Sequence, residues 1–388
     1  MFQNKNDSEW IGRQSALEQM VSTLEDRSVL LTGPRRIGKT ELLKHLAAAA
    51  SRRWKAVRVD VSSVRTTGEG VARIVSTLRD NGLGPSAAGE QLGRIQGLEA
   101  AGFAVSLAES TSDDVWQRLG SVIKGAIGQL DAETRLVLAL DEVPWWIAEI
   151  RKTEGDDAAR TVLAGLRYLR QRDDLESRTR WILTGSVGLA GVARAIGASA
   201  EINDLNPFFP LGPLDEHFGR TLFEMRVIER QLGCDPAAAA LGAREAGGSP
   251  HWIRWLAQRA ANHPASTSGG LCVSIQSVKL ALGDIEHPRL GSDLFEDEGR
   301  VHLRKYHGDE GARVMSAILM AAAESEDGLT EAAAQALAQS EMSRPDRAQA
   351  REWVFALIDA WYLDWDHSQR LSFVNPLFRR WFKRFGGQ

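Results

Sequence analysis

Cysteine is scarce in this 388-residue sequence, which contains only Cys234 and Cys272. The two residues lack the paired spacing of a zinc site, and they are too few for a disulfide framework. We therefore expect neither kind of cross-link to stabilise the fold. Scarce cysteine fits a reducing compartment, and a cytoplasmic location is predicted.

Long apolar runs and a strong charge of one sign are also missing. No run approaches the roughly 20 residues of a membrane-spanning helix, and the N-terminal MFQNKNDSEW lacks the features of a signal peptide. The net charge is only −4, so any nucleic-acid surface must be local. With 43% hydrophobic and 25% charged residues, the composition indicates a globular protein of two or three domains.

The segment SVLLTGPRRIGKTELL at 28–43 contains the pattern G-x-x-x-x-G-K-[ST] between an apolar strand and an amphipathic helix. In this context the loop N–H groups and the helix N-terminus bind phosphate. We expect Lys39 to reach the β- and γ-phosphates and the Thr40 hydroxyl to bind Mg²⁺. The predicted nucleotide-binding residues of the segment are Gly33, Pro34, Arg35, Arg36, Ile37, Gly38, Lys39, Thr40 and Glu41.

Strand-like and helix-like segments alternate through the first half of the chain, which predicts a parallel α/β sheet flanked by helices. Residues 81–109 are difficult to assign, although GFAVSL at 102–107 is a possible strand. The other predicted strands are 54–61, 135–142, 180–185 and 208–214, and the predicted helices are 69–80, 112–130 and 156–172.

Helical patterns dominate after residue 215, apart from a polar link at 262–270. A predicted hairpin at 361–374 and a basic, aromatic helix at 376–384 follow, which is the pattern of a winged helix-turn-helix. We therefore predict a P-loop ATPase core at 1–214, a helical lid at 215–305 and a winged-helix-like domain at 306–388.

The segment LVLALDEVPWW has the form of a Walker B strand that ends in two carboxylates. Asp141 is predicted to hold Mg²⁺ through water, and Glu142 to polarise the attacking water. A second strand, WILTGS, ends in Thr184 and Ser186, either of which could bind the γ-phosphate or the attacking water. The tryptophans at 145 and 146 either form a sensing surface or pack against the core, and packing is favoured for at least one.

Four motifs together resemble those of the STAND and AAA+ division of P-loop ATPases, and most closely the archaeal-type ATPases related to origin-recognition ATPases. They are WIGRQSAL at 10–17, GPRRIGKT at 33–40, LALDEVPWW at 138–146 and GGSPHWI at 247–253. The resemblance covers residues 8–261 well and the C-terminal region more loosely.

This resemblance implies roles that the residues alone do not give. Arg13 is expected beside the nucleotide and Pro250 against its base, whereas Gln14 departs from the Glu usual in the family. Arg194 is a candidate arginine finger, with an ordinary exposed helix arginine as the alternative. Arg35 and Arg36 are further candidates for contact with nucleotide or a neighbouring protomer.

The expected function is that of an ATP- and Mg²⁺-dependent switch, which couples nucleotide state to homo-oligomer assembly or protein-partner binding, in the manner of STAND proteins in stress or defence signalling. The first alternative is a DNA-associated ATPase that uses the winged-helix domain and its basic C-terminal helix. The second is a nucleotide-bound scaffold with negligible turnover. The basic side chains of the C-terminal helix are Arg379, Arg380, Lys383 and Arg384.

Overall fold

The computed structural model describes most of the chain and divides it into two compact units. Among the described residues, no helix is long and apolar enough to cross a membrane. The possible strand at 102–107 lies outside them. The described residues are 10–49, 51, 53–84, 112–186, 188–267 and 270–387.

The first unit contains residues 15–32 and 39–210 and is built on a five-stranded parallel sheet of order β2-β3-β4-β1-β5. Strand β3, which pairs with β2 on one side and β4 on the other, is buried along almost its whole length, as expected for a parallel sheet covered on both faces. The predicted α/β fold is therefore confirmed. The strands are β1 Val29–Thr32, β2 Trp54–Asp60, β3 Arg135–Asp141, β4 Thr179–Thr184 and β5 Phe209–Pro210.

The helices of this unit alternate with the strands along the chain. The Thr66 side chain caps the third helix by accepting a hydrogen bond from the Glu69 N–H, and Pro144 occupies the first turn of the fifth. The helices are α1 Gln14–Asp26, α2 Lys39–Ala48, α3 Thr67–Asp80, α4 Ser112–Ile127, α5 Val143–Glu154, α6 Asp156–Gln171, α7 Asp173–Glu176 and α8 Leu189–Ala195, followed by a 3-10 helix at Ser199–Leu205.

Two segments of this unit differ in length from the prediction. The segment predicted as a strand at 208–214 pairs only through Phe209–Pro210, because its prolines lack the N–H that a sheet requires. The predicted helix at 112–130 ends at Ile127, and Gly128 follows immediately.

The second unit contains residues 10–14, 33–38 and 211–387 of the described chain and is mainly helical. Asp215 and Asp235 cap two of its helices through their carboxylates, as residues with short polar side chains do. Its helices are α9 Glu216–Ile228, α10 Pro236–Glu245, α11 Pro250–Ala260, α12 Ile275–Glu286, α13 His302–Glu324, α14 Glu331–Glu341, α15 Arg347–Asp359 and α16 Pro376–Phe385, with a π-helix at Asp297–Val301 before α13.

Two small sheets complete the second unit. The prediction of a polar link at 262–270 was wrong, because this segment contributes to a sheet of order β6-β8-β7. The predicted C-terminal hairpin is confirmed as the antiparallel pair β9-β10. The strands are β6 Gly233–Cys234, β7 Ala265–Thr267, β8 Gly270–Val273, β9 Leu363–Trp365 and β10 Leu371–Phe373. The winged-helix assignment and the domain boundaries at 214 and 305 stay predictions.

Candidate functional site

The carboxyl end of β3 carries the first group of candidate residues. Asp141 is the last residue of the strand, and its side chain is only 2% exposed. Its Oδ2 accepts a hydrogen bond of 2.9 Å from the hydroxyl of Thr40 in the first turn of α2. Two predicted magnesium-binding residues that lie 101 positions apart in the sequence are therefore in direct contact.

The neighbouring strand β2 adds an arginine that the motif search missed. Arg58 donates to Asp141 Oδ2 through Nε at 3.1 Å and Nη2 at 2.9 Å, and Nη2 also contacts Asp60 Oδ2 at 2.8 Å. Burial lowers the pKa of Arg58, but the two carboxylates outweigh it and raise the pKa overall. The two-residue period of a strand places Arg58 and Asp60 on one face, which was the available signal.

These oxygens fit a magnesium ion. Mg²⁺ prefers hard oxygen ligands and is commonly bound through one or two carboxylates together with substrate phosphates. The Asp141 carboxylate and the Thr40 hydroxyl provide such oxygens within hydrogen-bonding distance of each other. Within the described ranges, no group of three or more His, Cys, Asp or Glu side chains suitable for a metal is found.

Glu142 is fixed by the segment that follows β4. Its Oε2 accepts hydrogen bonds from both the N–H and the hydroxyl of Ser186, at 3.1 and 2.8 Å. Glu142 has φ 67°, a left-handed conformation that is uncommon for a residue other than glycine. Gly185 allows this close approach, because a Cβ there would lie 2.4 Å from Pro144 Cδ. Ser186 is thus a positioning residue for Glu142.

Thr184, the other candidate in this segment, has a different environment. It is fully buried, and its hydroxyl donates to Leu31 O at 2.8 Å, which links β4 to β1. This arrangement favours a structural role over the predicted catalytic one. Arg194 lies on α8 with an exposed side chain, and its role as an arginine finger stays a prediction.

Trp146, four residues after Glu142 in the sequence, belongs to the core. Trp146 is fully buried and donates through Nε1 to Thr66 O at 3.1 Å. Its ring lies against Gly70, where a Cβ would be only 2.0 Å away. The packing interpretation is therefore confirmed for this residue.

The phosphate loop, residues 33–38, connects β1 to α2 and has an unusual backbone. Gly33 and Gly38 have φ values of 146° and 107°, and Arg36 has φ 63°. A Cβ on Gly33 would lie 2.5 Å from Leu211 O, so that only glycine fits. Lys39 follows as the first residue of α2 and is 7% exposed.

Arg13, predicted to lie near the nucleotide, contacts the backbone of this loop. Its Nη2 donates to Ile37 O at 2.9 Å and its Nη1 to Gly212 O at 2.8 Å. Burial lowers the pKa of Arg13 to about 10, and its buried Nε has no hydrogen-bond partner among the described atoms. The preceding Gly12 has φ 71° and lies against Phe218, which explains the glycine of this Gly-Arg pair.

The Gly-x-Pro motif lies at the start of α11. The Ser249 hydroxyl donates to Arg36 O at 3.1 Å, and Pro250 is the first residue of the helix. In contrast, Glu41 forms an exposed ion pair with Lys44 at 2.7 Å. The expected contacts of Pro250 with the base and of Glu41 with the nucleotide stay predictions.

The side chains of the two loop arginines, Arg35 and Arg36, both form ion pairs. Arg35 and Arg36 lie 3.6 and 3.2 Å from the same Glu298 carboxylate oxygen, and Arg36 also lies over the Trp252 ring at 5.6 Å. The sequence motifs gave no signal for Glu298, because it lies 262 residues after Arg36.

Comparison with known proteins gives a family match for the first part of the chain. Residues 9–175 match the AAA ATPase domain family, whereas the curated proteins returned no match. A Walker-type ATPase of Pyrococcus abyssi is similar in structure, with a TM-score of 0.58, 16% identity and coverage of 96% of this chain and 95% of the other. The ORC2 protein of Aeropyrum pernix, in ADPNP-ADP complexes, gives a TM-score of 0.52 at 14% identity, covering 95% and 92%. At these identities the two structures show a shared fold.

Proposed function

We propose that this chain binds Mg-ATP through residues 33–40 and hydrolyses it, and the match of residues 9–175 to the AAA ATPase domain family supports this proposal. The observation that carries the proposal is the 2.9 Å hydrogen bond between Thr40 Oγ1 and Asp141 Oδ2. It joins the phosphate-loop motif to the Walker B strand, as Mg-nucleotide binding in P-loop ATPases requires.

Each polar group then has a distinct task. The loop N–H groups and Lys39 would bind the phosphates, while Thr40 would hold the metal directly and Asp141 through water. Bound Mg²⁺ supplies charge neutralisation at the transferring phosphoryl group. Glu142 orients and polarises the attacking water, and the two hydrogen bonds from Ser186 keep its carboxylate in one position.

The Glu142→Gln variant tests the hydrolytic part of the proposal. We expect its steady-state phosphate release to fall by about 10²–10⁴-fold while its Kd for Mg-ATP stays close to that of the wild type. Ser186→Ala should give a smaller decrease, because Glu142 itself is retained. Glu154→Gln is the matched control, because it changes an exposed carboxylate at the end of α5, the helix that begins directly after Glu142. Unchanged phosphate release by Glu142→Gln would remove Glu142 from this role.

As to its output, we propose a STAND-like switch whose ATP and ADP states differ in assembly or in protein-partner binding. The support is the resemblance of the four nucleotide-site motifs, together with intact Lys39, Thr40, Asp141 and Glu142. Two measurements compare the Glu142→Gln variant in Mg-ATP with the wild type in Mg-ADP: sedimentation velocity and limited proteolysis. At least one of them should show a difference between the two samples. Identical behaviour in both measurements would contradict a switch.

The contacts of α16 count against the DNA-binding alternative. Arg379 donates to the carbonyls of Ala323 and Ser325, and Arg380 contacts Glu245 at 3.2 Å and Glu286 at 3.5 Å. The aromatic residues of the helix are buried: Phe378, Trp381, Phe382 and Phe385. Arg384 also lies over the Phe385 ring at 5.9 Å, so three of the four basic side chains are engaged within the unit. Salt-sensitive DNA binding would support this alternative.

A further inference from the structure

The two arginines of the phosphate loop are anchored to one acidic residue of the C-terminal half of the chain. Glu298 Oε1 lies 3.6 Å from Arg35 Nε and 3.2 Å from Arg36 Nε. The Glu298 side chain is 11% exposed, against 26% and 36% for the arginines. A carboxylate so well buried needs charged partners, and the phosphate loop supplies two of them, Arg35 and Arg36.

Two histidines orient the other ends of the same guanidinium groups. Arg35 Nη1 lies 2.9 Å from His302 Nδ1, and Arg36 Nη1 lies 3.3 Å from His251 Nε2. Burial, reinforced by the positive charge of the arginines, lowers the pKa of each histidine to about 4. The rings are therefore neutral at pH 7 and accept hydrogen bonds from the arginines.

The main chain of the loop is held at the neighbouring positions. The carbonyl of Arg36 accepts from Ser249, and that of Ile37 accepts from Arg13. Arg36 is also in the left-handed region, at φ 63°, a conformation that persists in a non-glycine residue only when its surroundings impose it. Because a phosphate loop binds its ligand through backbone N–H groups, these restraints preorganise the binding surface.

Glu298 is itself fixed by the C-terminal hairpin region and by α16. The Tyr362 hydroxyl, next to β9, donates to the Glu298 carbonyl at 2.7 Å. Gly299 lies against the Trp381 ring, where a Cβ would be 2.5 Å away, and Arg300 donates to Phe385 O at 2.6 Å. A chain of contacts therefore runs from α16 and Tyr362 through Glu298 to the phosphate loop.

We propose that Glu298 is a positioning residue for nucleotide binding, which acts through Arg35 and Arg36 and makes nucleotide affinity dependent on the C-terminal hairpin and α16. The inference rests on the proposed binding of nucleotide by residues 33–40. Because coupling between two sites is reciprocal, nucleotide binding must stabilise the same contacts around Tyr362.

The experiment is an equilibrium titration of each variant with a fluorescent ATP analogue in Mg²⁺. We expect Glu298→Gln to raise Kd by about 5–50-fold, within the usual range of coupling between sites, and Glu298→Asp to restore part of the affinity. KM for ATP should rise in parallel while kcat changes little, because the variant leaves Lys39, Asp141 and Glu142 intact. Glu341→Gln is the control, since its carboxylate pairs with Arg313 at 3.1 Å, away from the contacts that hold Glu298, and its Kd should stay within about twofold of the wild type.

A second readout separates positioning from a loss of folding. Hydrogen exchange of residues 33–40, measured well below the unfolding midpoint of each variant, should be faster in Glu298→Gln than in Glu341→Gln. Should Glu298→Gln fail to fold, Tyr362→Phe provides the milder test, because it removes only the hydroxyl that holds the Glu298 carbonyl. We expect it to raise Kd by about two- to fivefold, the effect of one hydrogen bond.

The outcomes distinguish this inference from the proposed function. Wild-type protein that binds no nucleotide overturns both. Wild-type protein that binds, together with a Glu298→Gln variant of equal or tighter affinity, overturns the inference alone. Tighter binding would mean that Glu298 competes with phosphate for the arginines instead of positioning the loop.

Discussion

Two charge clusters, one in each unit, have opposite compositions. The strand cluster consists of Arg58, Asp60 and Asp141, in which one guanidinium faces two carboxylates. The loop cluster consists of Arg35, Arg36 and Glu298, in which two guanidiniums face one carboxylate. The first cluster carries excess negative charge and suits a cation, whereas the second carries excess positive charge and suits an anion.

The clusters also differ in how the chain assembles them. Arg58 and Asp141 meet because β2 and β3 pair in parallel with Asp60 opposite Asp141, so the sheet register alone brings the charges together. Glu298 reaches the loop arginines across 262 residues of sequence. Pairing between adjacent strands thus brings positive charge to the Asp141 end of β3, whereas pairing across 262 residues of sequence links the phosphate loop to a distant part of its own unit.

The largest expected effect comes from removing the metal-binding charge of the strand cluster. Asp141→Asn should lower Mg-dependent phosphate release by at least about 10²-fold, because a metal ligand that acts on the transferring phosphoryl group is lost. Phosphate release at saturating Mg-ATP is the measurement. Asp60→Asn removes the same charge from the same cluster without removing the ligand, and should change the rate far less. Equal decreases in phosphate release in the two variants would mean that the rate depends on the net charge of the strand cluster and not on Asp141 itself.

Removing the cation of the strand cluster should affect stability. Arg58→Met leaves the buried Asp141 carboxylate without its guanidinium, a change that typically costs about 3–5 kcal/mol in free energy of unfolding when a buried pair is broken. Urea unfolding in EDTA measures this loss, and Mg-ATP should restore more stability to the variant than to the wild type.

The matched control for this change is Arg53→Met. Arg53 and Glu25 form an ion pair whose side chains are 75% and 44% exposed, so its removal should change the free energy of unfolding by less than about 1 kcal/mol. A similar loss in both variants would show that Asp141 is not protected by Arg58.

A smaller effect on stability, which depends on pH, is expected at His302, the histidine that contacts Arg35 of the loop cluster. The pKa of His302 is lowered to about 4 by burial and by Arg35, against about 6.5 in an unfolded chain. The unfolded state therefore binds the proton more readily, and the stability that neutral His302 contributes is lost as pH falls from 6.5 towards 4.

The variant His302→Asn should reduce this acid sensitivity. Between pH 7 and pH 5, its free energy of unfolding should fall by about 1–2 kcal/mol less than that of the wild type, as measured by urea unfolding at both pH values. An identical decrease in the two proteins would show that His302 is not held neutral by its surroundings.

The sequence predicted those features that local patterns encode. Apolar runs and Gly-bounded loops predicted the parallel sheet, and the two phosphate-site motifs predicted that Thr40 and Asp141 serve the same Mg²⁺ ion, which agrees with their contact. The weak strand at 208–214 was overestimated, since its apolar content suggested pairing that its prolines prevent. The sheet formed by β6, β7 and β8 was missed because strands of two to four residues leave almost no periodic signal.

The polar partners of the site were much less predictable. Thr184 and Ser186 both come at the end of the apolar run of β4, and their sequence positions do not distinguish their partners. In the structure, the Thr184 hydroxyl donates to Leu31 O, whereas the Ser186 hydroxyl donates to Glu142. Glu298 lies in no motif, and its pairing with Arg35 and Arg36 depends on how the second unit folds back on itself. Charge pairs between distant segments are set by tertiary packing, which local sequence patterns do not report.

The most direct test of the central claim is calorimetric titration of ATP into the wild type and Lys39→Ala, each with Mg²⁺ and with EDTA. Lys39 is the phosphate-binding cation of the loop motif, so the wild type should bind ATP more tightly with Mg²⁺ than with EDTA. Lys39→Ala should bind at least about 100-fold more weakly, a loss of about 2.7 kcal/mol. Equal affinity of the two proteins in Mg²⁺ would contradict nucleotide binding by residues 33–40.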